Sequence, residues 1–214
     1  MTNLIETVRV RNGAAPLWYL HLRRLAGSCR ALGVPFPGSL ITPEGGGDRV
    51  HRLEVGGSGG VGRVEISQRP VGSTTPVRLV TAREVHRPYP HKTTDRGQFD
   101  RALLEAREAG ADDALLLSAG GYVAECAVWS LLWWEAGRLC GPPLDLGVLP
   151  GVARARLGEM TGGVGERRAT ADQIRGRALI VANAVRGPVP VALLDGREVP
   201  QDRGTARLAE QFWP

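Results

Sequence analysis

A single lysine stands out among the basic residues of this 214-residue chain. Lys92 is the only lysine among 27 lysine and arginine residues, so arginine supplies every other basic side chain. An arginine stays protonated in proteins, whereas a lysine can lose its proton, attack a carbonyl group and form a Schiff base. Composition alone leaves two explanations open: Lys92 survives by chance, or it is kept for chemistry that arginine cannot perform.

The three cysteines form no comparable constellation. Cys29, Cys126 and Cys140 are odd in number and show no CxxC spacing. This pattern argues against a disulfide framework and against a zinc site. We therefore expect three reduced, mostly buried thiols and no metal centre.

The net charge of +5 raises the question of an acidic partner. The basic residues are scattered, and the five Trp, three Tyr and three Phe offer few platforms for stacking bases. An anionic small molecule fits this pattern better than a nucleic acid.

No stretch reaches the roughly 20 apolar residues of a membrane span, and the N-terminus lacks the pattern of a signal peptide. We therefore expect a cytoplasmic protein that binds neither nucleic acid nor membrane.

Hydrophobic periodicity indicates the elements that must position Lys92. Apolar residues at spacings of three and four predict a helix over 21–32, and Asn12-Gly13 predicts a hairpin turn. The remaining patterns predict strands over 4–10, 16–20, 61–68, 76–85, 114–117, 122–124, 131–134, 138–140, 178–182 and 189–194, and helices over 96–109, 151–159, 171–176 and 201–212. The sequence thus predicts a mixed α and β fold with antiparallel hairpins.

Two prolines just before Lys92 mark the predicted domain boundary. Pro88 and Pro90 predict a short rigid linker over 87–91, because proline fixes its own φ angle. We expect a small N-terminal α/β domain over 1–86 and a larger C-terminal domain over 92–214 that begins with the lysine.

Seven short blocks along the chain resemble one known family. They are ETVRV (6–10), HLRRL (21–25), HKTTDR (91–96), ADDALLL (111–117), GYVAEC (121–126), GVLPGVAR (147–154) and NAVRG (183–187). In this order they resemble the class IV, or fold-type IV, aminotransferases and lyases, which depend on pyridoxal 5'-phosphate. The resemblance implies a two-domain α+β fold like that of D-amino-acid aminotransferase, with a shortened N-terminal segment, and a homodimer.

The resemblance implies roles for individual residues. Lys92 would form the Schiff base with the cofactor and shuttle a proton, which requires surroundings that disfavour its charged form. Glu125 would keep the pyridine nitrogen protonated, so that the ring can accept electrons. Arg24 would bind the cofactor's phosphate through its guanidinium group.

Further cofactor contacts are implied around the phosphate. They fall on Ser130, Gly151, Val152, Ala153, Asn183 and Ala184. Gly151 would begin a helix whose free N–H groups face the phosphate, although an ordinary helix start after Pro150 also fits. Arg186 would meet a substrate carboxylate. Thr7 would relay a proton to the leaving group, or it is simply a β-branched strand residue.

The HKTT and NAVRG blocks most resemble the 4-amino-4-deoxychorismate lyases, including the lyase domain fused to aminodeoxychorismate synthase. This implies conversion of an anionic small molecule, 4-amino-4-deoxychorismate, to 4-aminobenzoate and pyruvate, with a synthase as a candidate partner. Two alternatives stay open: an aminotransferase of D- or branched-chain amino acids, and a family member that has lost catalysis and serves in binding.

Three positions depart from the family pattern. Ala153 stands where a threonine is usual, and Ser130 stands where an asparagine is usual. Phe99 is the aromatic residue near the place of a common tyrosine, and it cannot hydrogen-bond the cofactor's phenolic oxygen. These changes motivate the non-catalytic alternative.

Overall fold

The computed structural model describes residues 2–38, 40, 42–56, 63–72 and 75–214. The strands and helices of these ranges are β1 (Leu4–Val10), α1 (Trp18–Leu32), β2 (Arg49–Gly56), β3 (Arg63–Pro70), β4 (Val77–His86), α2 (Gly97–Glu108), β5 (Asp113–Ser118), β6 (Val123–Cys126), β7 (Ser130–Glu135), β8 (Arg138–Gly141), α3 (Val152–Thr161), β9 (Gly165–Glu166), α4 (Ala171–Ile174), β10 (Leu179–Asn183), β11 (Gly187–Leu194), β12 (Arg197–Glu198) and α5 (Arg203–Gln211). The predicted mixture of α and β structure is confirmed.

Strands β1, β2 and β3 form a small antiparallel sheet in that order. In its register Thr7 lies opposite Arg52. α1 packs on this sheet, where its Leu25 and Cys29 join a buried cluster with Leu4 and Val55. The helix therefore holds its residues, Arg24 among them, beside β1, an edge strand of this sheet.

The other strands described form one larger sheet, in the order β6-β5-β4-β11-β10-β7-β8-β9 with β12 beside β11. β4 runs parallel to β5 and β11, whereas β10 is antiparallel to β11 and β7. α2 covers part of this sheet and buries Phe99, Ala102 and Ala106 against Ala114 and Leu116. The domain division stays a prediction; β4, which it assigned to the N-terminal part, pairs in this larger sheet.

The backbone around Lys92 ties the two sheets together. The N–H of Ile5 donates to the carbonyl of Lys92 at 2.7 Å, and the N–H of Thr94 donates to the carbonyl of Asn3 at 2.8 Å. The lysine is therefore held beside the start of β1, although 86 residues separate the two segments in sequence.

The strand predicted over 16–20 is wrong. The hairpin turn at Asn12-Gly13 forms, with an isolated bridge between Arg11 and Ala14, but the chain then enters α1 at Trp18. Leu17 and Leu20 are both buried in one cluster. Residues three apart share a face in a helix and lie on opposite faces in a strand, so this burial favours the helix.

Three further observations complete the comparison with the sequence. β2 was not predicted at all. Residues 57–62 lie outside the described residues, and they include the first two residues of the strand predicted over 61–68. The three thiols are buried and unpaired, as predicted. Over the ranges that the structure describes, no helix is long and apolar enough to cross a membrane.

Candidate active site

A cavity of about 230 Å³ opens between the small sheet, α3 and the edge of the larger sheet. All the residues that the sequence assigned to the site line it: Thr7, Arg24, Lys92, Glu125, Ser130, Gly151, Val152, Ala153, Asn183, Ala184 and Arg186. These residues come from seven separate parts of the chain. The fold therefore assembles them in one place.

Lys92 lies in surroundings that disfavour its charged form. Burial is the largest cause, and the positive charges of Arg24 and Arg96 add to it, so that the pKa of Lys92 falls to about 7. The carboxylate of Glu6 acts in the opposite direction but does not prevail. A large fraction of the amine is therefore unprotonated near neutral pH, as nucleophilic attack on an aldehyde requires.

Arg24 is held in place by a buried carboxylate that the sequence analysis did not predict to contact it. Its Nε and Nη2 donate to the two oxygens of Glu6 at 2.9 and 2.5 Å, and His21 Nδ1 lies 2.6 Å from Glu6 Oε2. Burial would raise the pKa of Glu6, but Arg24 and His21 lower it to about 2. Nη1 of Arg24 makes no hydrogen bond to the described residues, so this end of the guanidinium group can bind an anion.

Glu125 lies on β6 and is 6% exposed. Its Oε1 accepts hydrogen bonds from the backbone N–H of Leu149 at 3.1 Å and from His86 Nε2 at 3.0 Å. Its Oε2 accepts none from the residues described. One carboxylate oxygen therefore remains for a ligand in the cavity.

The start of α3 approaches Ser130 closely. Gly151 precedes the helix. The first N–H groups of a helix have no intrahelical partner, and no side chain caps those of α3. A Cβ atom at position 151 would lie 2.5 Å from Ser130 Oγ. An alanine here would require the Ser130 hydroxyl group or the helix start to shift, and the free N–H groups provide an anion site at the helix start.

The turn between β10 and β11 presents Arg186 to the cavity. Asn183 Oδ1 accepts from the N–H groups of Val185 and Arg186 at 3.0 and 2.9 Å, which fixes the turn. The guanidinium group of Arg186 lies over the Trp129 ring, 4.6 Å from its centroid. Burial, followed by repulsion from Arg69, lowers the pKa of Arg186.

Several lining residues were missed by the sequence analysis. Arg52, Arg69, Tyr89, Arg96 and Trp129 also line the cavity. Arg52 lies on β2, where the alternation of Leu53 and Val55 with charged neighbours was an overlooked strand signal. Arg69 lies on β3, one residue beyond the strand predicted over 61–68. No local pattern distinguishes either arginine from the others in this chain.

The three departures from the family pattern have clear structural settings. Phe99 is buried and packs edge-on against Tyr89, with ring centroids 4.8 Å apart. Tyr89 does not replace the missing tyrosine hydroxyl, because its OH already bonds the backbone N–H and carbonyl of Thr93, both at 2.6 Å. Ala153 lies buried in the first turn of α3 and contributes no hydroxyl group.

The donor set nevertheless fits pyridoxal 5'-phosphate. An amine with a lowered pKa suits the cofactor's aldehyde, and a carboxylate with a free oxygen suits its ring nitrogen. A guanidinium end and the uncapped start of α3 suit its phosphate. The cavity therefore holds groups that suit the aldehyde, the ring nitrogen and the phosphate of this cofactor.

Comparisons with known proteins place the chain in a family. The family model for class IV amino-transferases matches residues 64–194. A comparison with curated protein sequences finds no match.

Solved structures share the whole fold. A candidate 4-amino-4-deoxychorismate lyase from Legionella pneumophila is 25% identical, with a TM-score of 0.84, and the match covers 98% of this chain and 91% of that one. A branched-chain aminotransferase from Thermoproteus uzoniensis is 22% identical, with a TM-score of 0.85 and coverage of 98% and 84%. A hypothetical aminotransferase from Mycobacterium tuberculosis in a PLP-bound form is 21% identical, with a TM-score of 0.84 and coverage of 98% and 87%.

These matches confirm the fold-type IV architecture that the sequence blocks implied. The family model covers well over half of the chain, and it includes the segment between β4 and α2 that holds Lys92 and the strand β6 that carries Glu125. The chain belongs to the class IV aminotransferase family, whose members depend on pyridoxal 5'-phosphate.

Proposed function

We propose that this chain is a pyridoxal-phosphate-dependent lyase that converts 4-amino-4-deoxychorismate to 4-aminobenzoate and pyruvate. Enzymes of the family act on small-molecule amino acid substrates. The HKTT and NAVRG blocks and the similarity to the Legionella candidate lyase support the choice within the family. The observation that carries the proposal is the positive charge in the cavity beyond what the cofactor requires.

Three further arginines line the cavity, and one of them, Arg52, already pairs with Glu54 at 2.8 Å. Arg52 and Arg69 come from neighbouring strands of the small sheet, and Arg186 comes from the β10–β11 turn. Arg69 lies close enough to Arg186 to lower its pKa by repulsion. Two positive charges held near each other favour an anion between them.

Arg186 is the best placed of the three to bind a carboxylate. It forms no ion pair with the described residues, and its Nε is buried without a hydrogen-bond partner. Stacking on Trp129 holds the guanidinium plane in one orientation. A substrate carboxylate would satisfy the buried nitrogen and the charge together.

The charge distribution favours the lyase substrate over a branched-chain amino acid. 4-Amino-4-deoxychorismate carries a ring carboxylate and an enolpyruvyl carboxylate, whereas a branched-chain amino acid carries one carboxylate and an apolar side chain. An apolar side chain placed beside Arg186 would desolvate its charge without pairing it, because Arg186 forms no ion pair with the described residues.

The chain's own residues can carry out the proton transfers. When bound, the cofactor stabilises the negative charge that develops as a proton leaves the substrate carbon bearing the amino group. The unprotonated Nζ of Lys92 accepts that proton, and Glu125 holds a proton at the ring nitrogen. The hydroxyl of Thr7, which lines the same cavity, donates a proton to the leaving enolpyruvyl group.

The reaction needs no second substrate. A C–H bond and the C–O ether bond break, the ring becomes aromatic, and the proton ends on the methylene carbon of enolpyruvate to give pyruvate. 4-Aminobenzoate and pyruvate together contain all the atoms of the substrate. The residues therefore supply positioning and proton transfer, and no amino acceptor takes part.

Pyruvate release tests the proposal directly. Protein loaded with pyridoxal 5'-phosphate is mixed with 4-amino-4-deoxychorismate, without any keto acid, and pyruvate and 4-aminobenzoate are measured. We expect equal amounts of both products from the wild type and none from Lys92→Ala. No pyruvate, together with conversion of the bound cofactor to its pyridoxamine form by an amino acid, would replace the lyase with an aminotransferase.

A variant of Arg186 tests the observation on which the proposal rests. Arg186→Gln should raise KM for 4-amino-4-deoxychorismate at least tenfold, since it removes a charge-assisted hydrogen bond. Its affinity for the cofactor should be unchanged. Arg197→Gln on the exposed strand β12 is the control and should alter neither quantity.

We further infer that the enzyme works as a homodimer in the cytoplasm, alone or beside an aminodeoxychorismate synthase. Enzymes of the family are typically dimeric, which supports the first part. Light scattering on the purified protein should give twice the mass of one chain. The mass of a single chain over the working concentration range would contradict the dimer.

A further inference from the structure

A buried histidine lies next to Glu125 without lining the cavity. His86 ends β4 and is 4% exposed. Its Nε2 is 3.0 Å from Glu125 Oε1. β4 and β6 both pair with β5, so this contact spans the strand between them. Nothing in the sequence singled out His86, because it lies outside every block that resembles the family.

The surroundings of the imidazole ring determine which nitrogen carries the proton. Nδ1 of His86 is buried and has no hydrogen-bond partner among the described residues. A buried N–H without an acceptor costs more than a lone pair that lacks a donor, and Glu125 requires a donor at Nε2. The geometry therefore places a proton on Nε2, where Glu125 accepts it.

The two donors to Glu125 converge on one oxygen. His86 Nε2 and the backbone N–H of Leu149 both bond Oε1, at 3.0 and 3.1 Å. The backbone donor is fixed by the chain, whereas the histidine is the one side-chain donor to this carboxylate among the residues described. Together they fix the carboxylate plane and leave Oε2 for the cavity.

We propose that His86 is a positioning residue that orients Glu125, with Oε2 directed to the cofactor's ring nitrogen. Hydrogen bonds to a carboxylate favour its charged form, and a charged Glu125 retains the proton on that nitrogen. The inference rests on the role proposed for Glu125 and is independent of which substrate the enzyme uses. It assigns a role at the site to a residue outside the cavity wall.

The main test uses pyridoxal 5'-phosphate labelled with 15N in its ring. We expect the wild type to show the chemical shift of a protonated ring nitrogen, and His86→Phe to move it towards the unprotonated value given by Glu125→Gln. His86→Gln keeps an N–H donor and should restore the wild-type shift. His51→Phe, which alters a buried histidine of the small sheet, is the matched control and should leave the shift unchanged.

Cofactor affinity provides a second measurement. Loss of one hydrogen bond to a charged group should raise the dissociation constant of pyridoxal 5'-phosphate about tenfold in His86→Phe and less than threefold in His86→Gln. A wild-type 15N shift and a wild-type dissociation constant in His86→Phe would overturn the proposal. Neither measurement involves 4-amino-4-deoxychorismate, so a failed lyase assay would not affect them.

The wild-type protein itself provides the last check, in case His86→Phe does not fold. Long-range 1H–15N spectra report the tautomer of each histidine. We expect His86 to carry a proton at Nε2, and Glu125→Gln to shift its signals. A proton on Nδ1 instead would remove the donor to Glu125 and overturn the proposal.

Discussion

At the scale of single residues, the surroundings of Lys92 determine how much of its amine is unprotonated. Burial is the largest influence, and Arg24 and Arg96 are the next two. A pKa of about 7 leaves roughly half of the amine neutral at neutral pH, against a negligible fraction for an exposed lysine. The single lysine of the chain is thus a basic side chain whose charge the fold can remove near neutral pH.

This environment can be measured, because labelled lysine reports one side chain. In cofactor-free protein grown with 13Cε-lysine, we expect the Lys92 resonance to titrate with a midpoint near pH 7. Arg96→Gln should raise the midpoint, since it removes a nearby positive charge. Arg107→Gln, in the exposed last turn of α2, is the control and should not move it. A wild-type midpoint near 10.5 would contradict this account.

Glu6 contributes a pH-dependent part of the stability. Its pKa is lowered from 4.5 to about 2, so the ionised carboxylate stabilises the fold above pH 4.5, and this contribution is lost as the pH falls towards 2. Glu6→Gln should therefore lower the free energy of unfolding at pH 7 by roughly 3 kcal/mol. Urea unfolding at pH 7 and pH 3 measures the effect.

A surface ion pair provides the comparison for Glu6. Glu54 pairs with Arg52 at 2.8 Å, but both side chains are partly exposed. Glu54→Gln should cost less than about 1 kcal/mol at either pH. If the loss in Glu6→Gln were the same at pH 3 as at pH 7, the ionised state of Glu6 would not be its cause.

At the scale of elements, the start of α3 depends on its contact with β7. Gly151→Ala would place a methyl group 2.5 Å from Ser130 Oγ, so either this hydroxyl group rotates out of its place in the cavity or the helix start moves. We expect the affinity for pyridoxal 5'-phosphate to fall at least tenfold and the free energy of unfolding to fall by about 1–3 kcal/mol. Cofactor titration and urea unfolding measure the two effects.

Two further variants separate this contact from a general effect of alanine. Adding Ser130→Ala to Gly151→Ala removes the clashing oxygen and should restore most of the affinity. Gly27→Ala, inside α1 with open space around it, should instead stabilise the protein by about 1 kcal/mol. No recovery in the double variant would show that the contact with Ser130 is not the cause.

Elements with strong local signals were predictable from the sequence. The hairpin of β7 and β8 follows from apolar runs on either side of Glu135-Ala136-Gly137, and α2 follows from its spacing of apolar residues. The strand predicted over residues 16–20 was wrong, because a short apolar run fits both the helical and the strand period. Only tertiary packing decides between a helix and a strand in such a run. β2 was not predicted because its alternation of apolar and polar residues is short and is interrupted by His51.

At the scale of the whole molecule, the site was predictable only in part. Lys92, Glu125 and Arg24 could be located because each lies within a block that resembles the family. The pairing of Arg24 with Glu6, the arginines of β2 and β3, and the contact of His86 with Glu125 could not be located, because each depends on segments far apart in sequence. Local sequence patterns do not indicate contacts between segments that are far apart along the chain.

The position of the cavity between the sheets predicts that the cofactor stabilises the entire fold. A ligand that binds only the folded state adds about 2.7 kcal/mol at a concentration 100 times its dissociation constant, so Tm should rise with pyridoxal 5'-phosphate. Arg24→Gln should show a much smaller rise, and Arg23→Gln, its exposed neighbour, the wild-type rise. Equal rises in all three proteins would place the phosphate elsewhere.

Covalent attachment of the cofactor to Lys92 is the central claim, and one measurement tests it most directly. Protein mixed with pyridoxal 5'-phosphate is reduced with borohydride, digested and examined by mass spectrometry beside Lys92→Ala. We predict a cofactor adduct on the peptide that contains Lys92, and none in the variant. A wild-type protein that carries no adduct on Lys92 even with excess cofactor would contradict the account.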